Sequence, residues 1–389
     1  MREEGREQEG DAFSFRQLSI CSPSTSLSLS VGGNHEASNH LWELAHGGWV
    51  APNIYYLGVA GVVNFGGLRI GGLSGIFDGR DFRSPRVGGP PYSPGALRSA
   101  YHLREADIHR LTRLTGPMDV FLSHDWPAGI VAHGDGAGLV RRKRFLASDI
   151  DSGALGSPPG AHLLRHLAPR FWFSAHLHTK FAAVVPHGEG GVGGGMTRFL
   201  ALDKCLPGRE FLQVVDVPVR GGGWGGGVAA PPAPTPPSAP PPSLAYDPQW
   251  CAIMRATHGL MVPGVHLPRL APAGPPSEAE VADAAAALEA AHGGSLAIPH
   301  NFVVTAPAAG SPGAPTQPPR TPIRSPQTES LLGALGLGFN LDYPHHHPPG
   351  GGPPRASDLP PPPPGPPPPG ARLFVPPAVA AANPEEIDI

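Results

Sequence analysis

The sequence predicts an α/β layered domain with its functional loops at strand ends. Three observations predict it. Short β-branched or aromatic runs alternate with glycines through residues 54–73. Apolar residues Leu97, Ala100, Ile108, Leu111 and Leu114 recur at helical spacing. Two later apolar runs, residues 118–122 and 171–174, each end just before histidine, in Ser123-His124-Asp125 and in Ser174-Ala175-His176-Leu177-His178. Strand, ligand loop, helix, strand, ligand loop is the plan of a sheet covered by helices, with chemistry carried on loops.

In chain order, residues 25–31 alternate Leu27, Leu29 and Val31 with small polar residues, a strand with one buried face. Residues 54–57, 62–65 and 68–73 are successive strands set off by glycines. Residues 97–114 and 137–150 are expected to be helical. Residues 161–167 form a short helix that stops before Pro169. Residues 181–185, 197–202 and 211–217 are expected strands, with a glycine-rich break at 188–195. Further on, Tyr246, Trp250, Ile253 and Met254 fit a helix over 244–257, and the Ala-rich 281–291 fits another. Residues 298–305 read as a strand or as an ordered packing segment.

Composition divides the chain. Gly and Pro number 53 each in 389 residues, a level that signals low-complexity stretches. They concentrate in 220–243, read as a linker, and in a Pro-rich tail over 344–389, headed by His345-His346-His347, which reads as tail composition. Residues 1–24 are charged and then Ser-rich, and are expected to be disordered. The expected domains are therefore 25–219 and 244–343. Net charge is −3, so any contact with nucleic acid must be local. Three cysteines, Cys21, Cys205 and Cys251, form no disulfide framework. No apolar run reaches the length of a membrane span, and the N-terminus is not a secretory signal.

The stretch with most chemistry is Gly32-Gly33-Asn34-His35-Glu36, a tight turn that holds an amide beside an imidazole. Together with His124, His176 and His178 it resembles the calcineurin-like metallophosphoesterases. The blocks Gly48-Trp49-Val50-Ala51-Pro52-Asn53-Ile54-Tyr55-Tyr56-Leu57-Gly58, Arg69-Ile70-Gly71-Gly72-Leu73-Ser74-Gly75-Ile76, Ser123-His124-Asp125-Trp126-Pro127 and Phe199-Leu200-Ala201-Leu202-Asp203-Lys204-Cys205-Leu206-Pro207 are closer to one branch, the RNA lariat debranching enzymes. The resemblance runs over 31–217, and more weakly over 244–343.

It implies an αββα sandwich of two packed sheets flanked by helices, with a small C-terminal domain of the debranching family. It also implies divalent metal ions (Fe, Zn or Mn), with Asn34, His124 and His176 binding one and His178 the other, and His35 facing the scissile phosphate. Such metals polarise phosphoryl oxygens and supply hydroxide. The substrate loop implied is 78–110, with Arg80, Arg83, Arg86, Arg98, Arg104 and Arg110, and with Tyr92, Tyr101 and His102 as stacking faces. Arginines among aromatics suit single-stranded RNA at a branch. The implied reaction is hydrolysis of the 2′–5′ phosphodiester of an intron lariat, in the nucleus, with branched RNA and splicing-related proteins as partners and no membrane.

The sequence departs from the family in two places. No Asp- or Cys-x-His block precedes Gly32, and the one Gly-Asp pair there, Gly10-Asp11, lies in a charged stretch with no strand before it, so the sandwich is expected to be incomplete at its N-terminal side and the metal pair to lack its bridging carboxylate. The chain as given is expected to be impaired, and a non-catalytic RNA-binding or splicing-associated relative is the alternative. Arg86-Val87-Gly88 also stands where the family has His-Phe-Glu. Trp126 and Trp172 read as core anchors. Arg141-Arg142-Lys143-Arg144 reads as a solvated helix face. Asp125, Asp203 and Lys204 are either groups that orient ligands or paired structural charges.

Overall fold

The computed structural model describes residues 26–90, 92–188, 195–219, 242–305 and 323–339. The expected unpacked stretches 1–24, 344–389 and nearly all of 220–243 lie outside these, as do His345–His347 and most of the glycine-rich break at 188–195.

Ten strands form two sheets among the described residues. The smaller has the order β1-β3-β2, with β1 at Ser28–Ser30, β2 at Gly48–Ala51 and β3 at Ile54–Tyr56. The larger has the order β10-β4-β5-β6-β7-β9-β8. Its members are β4 (Ala60–Phe65), β5 (Leu68–Leu73), β6 (Val120–Ser123), β7 (Phe171–Ser174), β8 (Phe181–Pro186), β9 (Met196–Ala201) and β10 (Leu244–Tyr246). β5, β6, β7 and β9 run parallel, while β4, β8 and β10 are antiparallel to their neighbours. Parallel neighbours present their C-terminal ends at one edge, and the histidine loops leave from that edge.

The two sheets close on each other. Tyr55 and Leu57 share one core with Val62, Ile70, Phe121 and Trp172. Gly72 sits where they approach, since a Cβ there would meet Leu57 and Val31.

Helices α1 (Ser38–Glu43), α2 (Pro94–Ala100), α3 (Glu105–Leu111), α4 (Gly136–Arg142), α5 (Ala147–Asp151) and α6 (Pro158–Leu167) connect the strands. α7 (Pro248–Thr257), α8 (Glu278–Ala291) and α9 (Pro326–Ala334) follow them. Ile108, Leu111, Leu163, Ile253, Leu288 and Leu331, from five of these helices, are buried in the main core. α6 begins where its sequence directs: Ser157 Oγ accepts from Gly160 N at 3.0 Å, and prolines fill the first turn.

Four expectations change. The helix expected over 97–114 is two helices, α2 and α3. Between them the chain bridges to β5's extension, with Ile76 N donating to Tyr101 O and Leu103 N to Ile76 O, at 3.1 and 2.9 Å. Residues 137–150 break into α4, a 3₁₀ turn and α5. Residues 211–217 form no strand, and Leu212 and Val214 stay 76% and 84% exposed. Residues 244–246 are the edge strand β10, so the helix starts only after Asp247, whose carboxylate accepts from Trp250 N at 2.8 Å. Residues 298–305 form no strand, but Ile298 is buried and its N–H reaches Leu244 O at 2.8 Å.

Residues 244–339 are fastened to the sheets by polar contacts. Arg69 on β5 forms a buried ion pair with Asp247, Nε to Oδ2 at 2.8 Å. The Gln327 amide accepts from Trp49 N at 2.7 Å and donates to Trp49 O at 2.8 Å. Thr328 Oγ1 donates to Glu43 O at 2.8 Å.

Candidate active site

The turn after β1 is clamped by its own carboxylate and by the end of β5. Gly33 N donates to Glu36 Oε2 at 2.7 Å, and Gly32 N to Ser74 Oγ at 3.0 Å. Ser74 Oγ in turn donates to Gly58 O at 2.6 Å, and Gly75 N donates to Gly32 O at 2.8 Å. Gly33 carries no side chain because the His124 imidazole occupies that space, and a Cβ would collide with three of its ring atoms. Backbone and ring therefore approach as only glycine allows.

β6 and β7 lie in the register Val120–Phe171 and Leu122–Phe173. Carried one step past the strands, this sets His124 level with Ala175, and Ala175 N donates to His124 O at 3.1 Å. Trp126 is fully buried, and its Nε1 donates to Ala175 O at 2.7 Å. Trp172 is equally buried, so both tryptophans are core anchors, and Trp126 also braces the second loop. His176 and His178 both adopt left-handed backbone, with φ of 60° and 47°, around the buried Leu177. A non-glycine residue held there costs on the order of 1 kcal/mol or more, and persists only where its surroundings over-determine it.

The expected site residues converge. His124 Nε2 lies 2.9 Å from Asn34 Oδ1. The His124 and His176 ring centroids are 5.0 Å apart, and those of His35 and His178 are 6.5 Å apart. Burial, and then the neighbouring His176, His35 and His178 rings, push the His124 imidazole down to about 3. It is thus held neutral, the form that binds a metal. His35 is exposed at the mouth, whereas His176 is buried.

Two donors each about 2.1 Å from one cation, and at right angles to each other, lie about 3 Å apart. The Asn34–His124 contact has that spacing, and His176 offers a third donor. Among the described residues no three His, Cys, Asp or Glu side chains form a metal-holding group, so such a site depends on the Asn34 amide. Amide and imidazole donors suit a borderline cation. Beside His178 no equivalent second set occurs among the described residues.

Tyr101 and His102 line a narrow cavity together with Gly32, Gly33, Ser74 and Tyr56, so they reach the back of the ligand turn. His102 Nδ1 also lies 2.7 Å from Asp81 Oδ2. Arg80, Arg83, Tyr92 and Arg98 do not line that cavity. Arg80 is paired with Asp78 at 3.0 Å, Arg83 with Glu105 at 3.5 Å, and Arg98 is exposed on α2. Tyr92 is half-buried, and burial, then Glu43, raises its phenol.

The other three arginines of the expected substrate loop are buried. Arg86, Arg104 and Arg110 are 7%, 3% and 1% exposed. Arg86 pairs with Asp107 and lies over the Trp42 ring, and Arg110 lies over Trp250. Burial first, and then the Arg86 charge, lowers the Arg104 guanidinium to about 10. Arg86, where the sequence departs from the family pattern, is buried, yet it lines the same cavity as Tyr101 and His102.

Asp125 ties the His124 loop to the segment after β5, since its carboxylate accepts from Phe77 N at 3.2 Å and from Trp126 N at 2.9 Å. Asp203 accepts from Lys204 N and from Arg209, a structural charge. Arg141, Arg142 and Arg144 are exposed on and after α4, as expected of a solvated face. Sequence reasoning missed Ser74 as the clamp of the ligand turn. A serine after a strand carries no periodic signal, and only its contact with Gly32 gives it a role.

The family profile described as lariat debranching enzyme, C-terminal domain, matches residues 194–339. The chain is 44% identical over 325 residues to a lariat debranching enzyme of Danio rerio, covering 80% of this chain and 53% of that protein. It is 49% identical over 227 residues to one of Arabidopsis thaliana, covering 58% of this chain and 49% of that protein. Similarity to the lariat debranching enzyme of Homo sapiens is 46% over 237 residues, covering 60% of this chain and 40% of that protein. The chain thus spans about half the length of the curated relatives it matches.

Proposed function

We propose, from the premise that the chain belongs to the lariat debranching enzyme family, that it hydrolyses the 2′–5′ phosphodiester of branched RNA with a divalent cation. The observation that carries this reading is the convergence of Asn34, His124, His176, His178 and His35 at one edge of the sheets. Asn34, His124 and His176 would hold one cation of Fe, Zn or Mn type, and His178 would contribute to a second. A cation bound there would polarise the phosphoryl group and activate water at neutral pH.

The chain's own residues do the rest. His35, exposed beside His178, reaches the leaving oxygen and either donates a proton or stabilises charge there. Tyr101 and His102 border the ligand turn, and Tyr101 offers a ring to an unstacked base. Arg80, Arg83 and Arg98 lie further out, with Tyr92, as contacts for the flanking phosphates. The setting is intron turnover in the nucleus, in company with splicing-related proteins.

A second reading is a relative that binds branched RNA without cleaving it. It is favoured by the donor set, since no group of three His, Cys, Asp or Glu side chains forms a metal site among the described residues. One experiment separates the two. The full chain is incubated with a synthetic 2′–5′ branched RNA and Mn(II), beside His176→Ala and His35→Ala. Slow release of linear RNA, reduced by roughly 100-fold or more in both variants, is expected, because removing one member of a catalytic unit costs most of its rate. Retarded but uncleaved RNA would select the second reading. Neither binding nor cleavage would sink both.

A further inference from the structure

We infer that Ser123 and Ser174 are positioning residues, a buried hydroxyl pair that sets the distance between the His124 and His176 loops. The inference rests on the metal-site reading given above. It starts from contacts that no ligand role explains. Ser123 ends β6 and Ser174 ends β7, and their Oγ atoms are 2.8 Å apart. They are 6% and 8% exposed, at the edge of the site. Ser123 Oγ donates to Asp125 O at 2.7 Å, and Trp172 Nε1 donates to Ser123 Oγ at 2.9 Å and less closely to Ser174 Oγ at 3.2 Å.

The protons close on themselves. Ser123 gives its hydrogen to Asp125 O, Ser174 gives its hydrogen to Ser123 Oγ, and the Trp172 indole gives its own to the pair. Each hydroxyl has one donor and two acceptor sites, so every hydrogen is used without a further partner. The consequence is mechanical. Asp125 O belongs to the residue after His124, and the pair draws it toward β7. Ala175 N to His124 O, at 3.1 Å, and Trp126 Nε1 to Ala175 O, at 2.7 Å, act in the same direction from the other loop. His124 and His176 are thereby cross-linked through their neighbours, on the side where His124 meets Asn34. The left-handed backbone at His176, with φ of 60°, requires such a frame.

Either serine alone can keep part of the network, because Ser174 Oγ also reaches Asp125 O at 3.3 Å. The two substitutions should therefore act more than additively. The test uses the full chain with Co(II) as the probe, read by its visible absorption and by competition for dissociation. Ser123→Ala and Ser174→Ala should each weaken Co(II) binding by about 3- to 10-fold, and the double variant by more than the product of the two. Trp172→Phe removes a donor but leaves the serine–Asp125 ties, so its effect on Co(II) should be smaller. Ser174→Thr keeps the hydroxyl and should restore most of the binding.

A readout without metal accompanies these, the nuclear Overhauser effect between His124 and His176 ring protons. It should fade in the double variant while the melting temperature of the sheet changes little. Wild-type chain that binds no Co(II) would sink the metal reading, and the ring-to-ring contact would then decide the positioning role by itself. A double variant with that contact unchanged, or with Co(II) affinity lost only in proportion to melting temperature, would overturn the proposal.

Discussion

Replacing Asp247 by alanine should cost the fold about 4 kcal/mol. The carboxylate does two jobs. Its Oδ1 accepts from Trp250 N at 2.8 Å and so caps α7, a contact worth about 1 kcal/mol. Both oxygens also meet Arg69, Nε to Oδ2 at 2.8 Å and Nη2 to Oδ1 at 3.1 Å, with the two side chains 6% and 1% exposed. Breaking a buried pair by removing one partner costs about 3–5 kcal/mol, because the other charge is left without compensation. Arg69 keeps the Thr115 carbonyl at 2.6 Å and Gln249 at 2.8 Å, which places the expected loss at the lower end of the sum. Urea unfolding followed by tryptophan fluorescence measures it as a shift in midpoint at constant slope. A paired control isolates the cause. Arg69→Met with Asp247→Ser keeps a capping oxygen and buries no unmatched charge, so it should cost no more than about 2 kcal/mol. An Asp247→Ala loss below about 1 kcal/mol, or a double variant as unstable as the single one, would refute the reasoning.

Three further outcomes follow from the same contacts. Gly33→Ala should cost about 1–3 kcal/mol of stability and displace His124, because the new Cβ lands on the imidazole; calorimetric melting beside a Gly188→Ala control checks it. Gln327→Ala removes both side-chain bonds to the Trp49 backbone and should lower stability by about 1–3 kcal/mol, with faster amide exchange confined to β2 and α9. His109 is held neutral in the fold, its imidazole lowered to about 4 by burial, then by Arg113 and Arg110. Since the unfolded chain binds that proton near pH 6.5 and the folded chain only near 4, stability should fall as pH drops through this window, by at most about 3 kcal/mol. His109→Gln should flatten that part of the pH profile in urea titrations.

The strands that carry histidines were legible because the physics is local. Residues 118–122 and 171–174 are apolar runs that stop abruptly at polar loops, and parallel pairing then forces both loops to one edge. The break between α2 and α3 was not legible, because apolar spacing continues across it and only the bridge to Ile76 interrupts the helix. Residues 211–217 have strand composition, yet composition cannot supply a pairing partner. The loop arginines show the same limit. Arg86, Arg104 and Arg110 look no different in sequence from Arg80 or Arg98, and burial around Asp107 separates them.

What unites the site is that its rigidity comes from groups that hold no ligand. Asn34 is placed by Glu36 and Ser74, His124 by the glycine it packs upon, and His176 by the Trp126 indole and the Ala175 backbone. Ser74, Trp126 and Ala175 follow β5, β6 and β7, while Gly33 and Glu36 belong to the turn after β1, so the order of both sheets bears on the site. The strain of two left-handed histidines separated by one buried leucine is sustained by this frame. A frame of that kind would also limit what the proposed cation site selects. In the proposed cation site, donors already 2.9 Å apart would favour a small cation over a large one, because little movement would bring both within about 2.1 Å. A calcium-sized ion, with bonds of about 2.3–2.6 Å and a demand for six or more oxygens, would have to spread donors that the sheet edges hold in place.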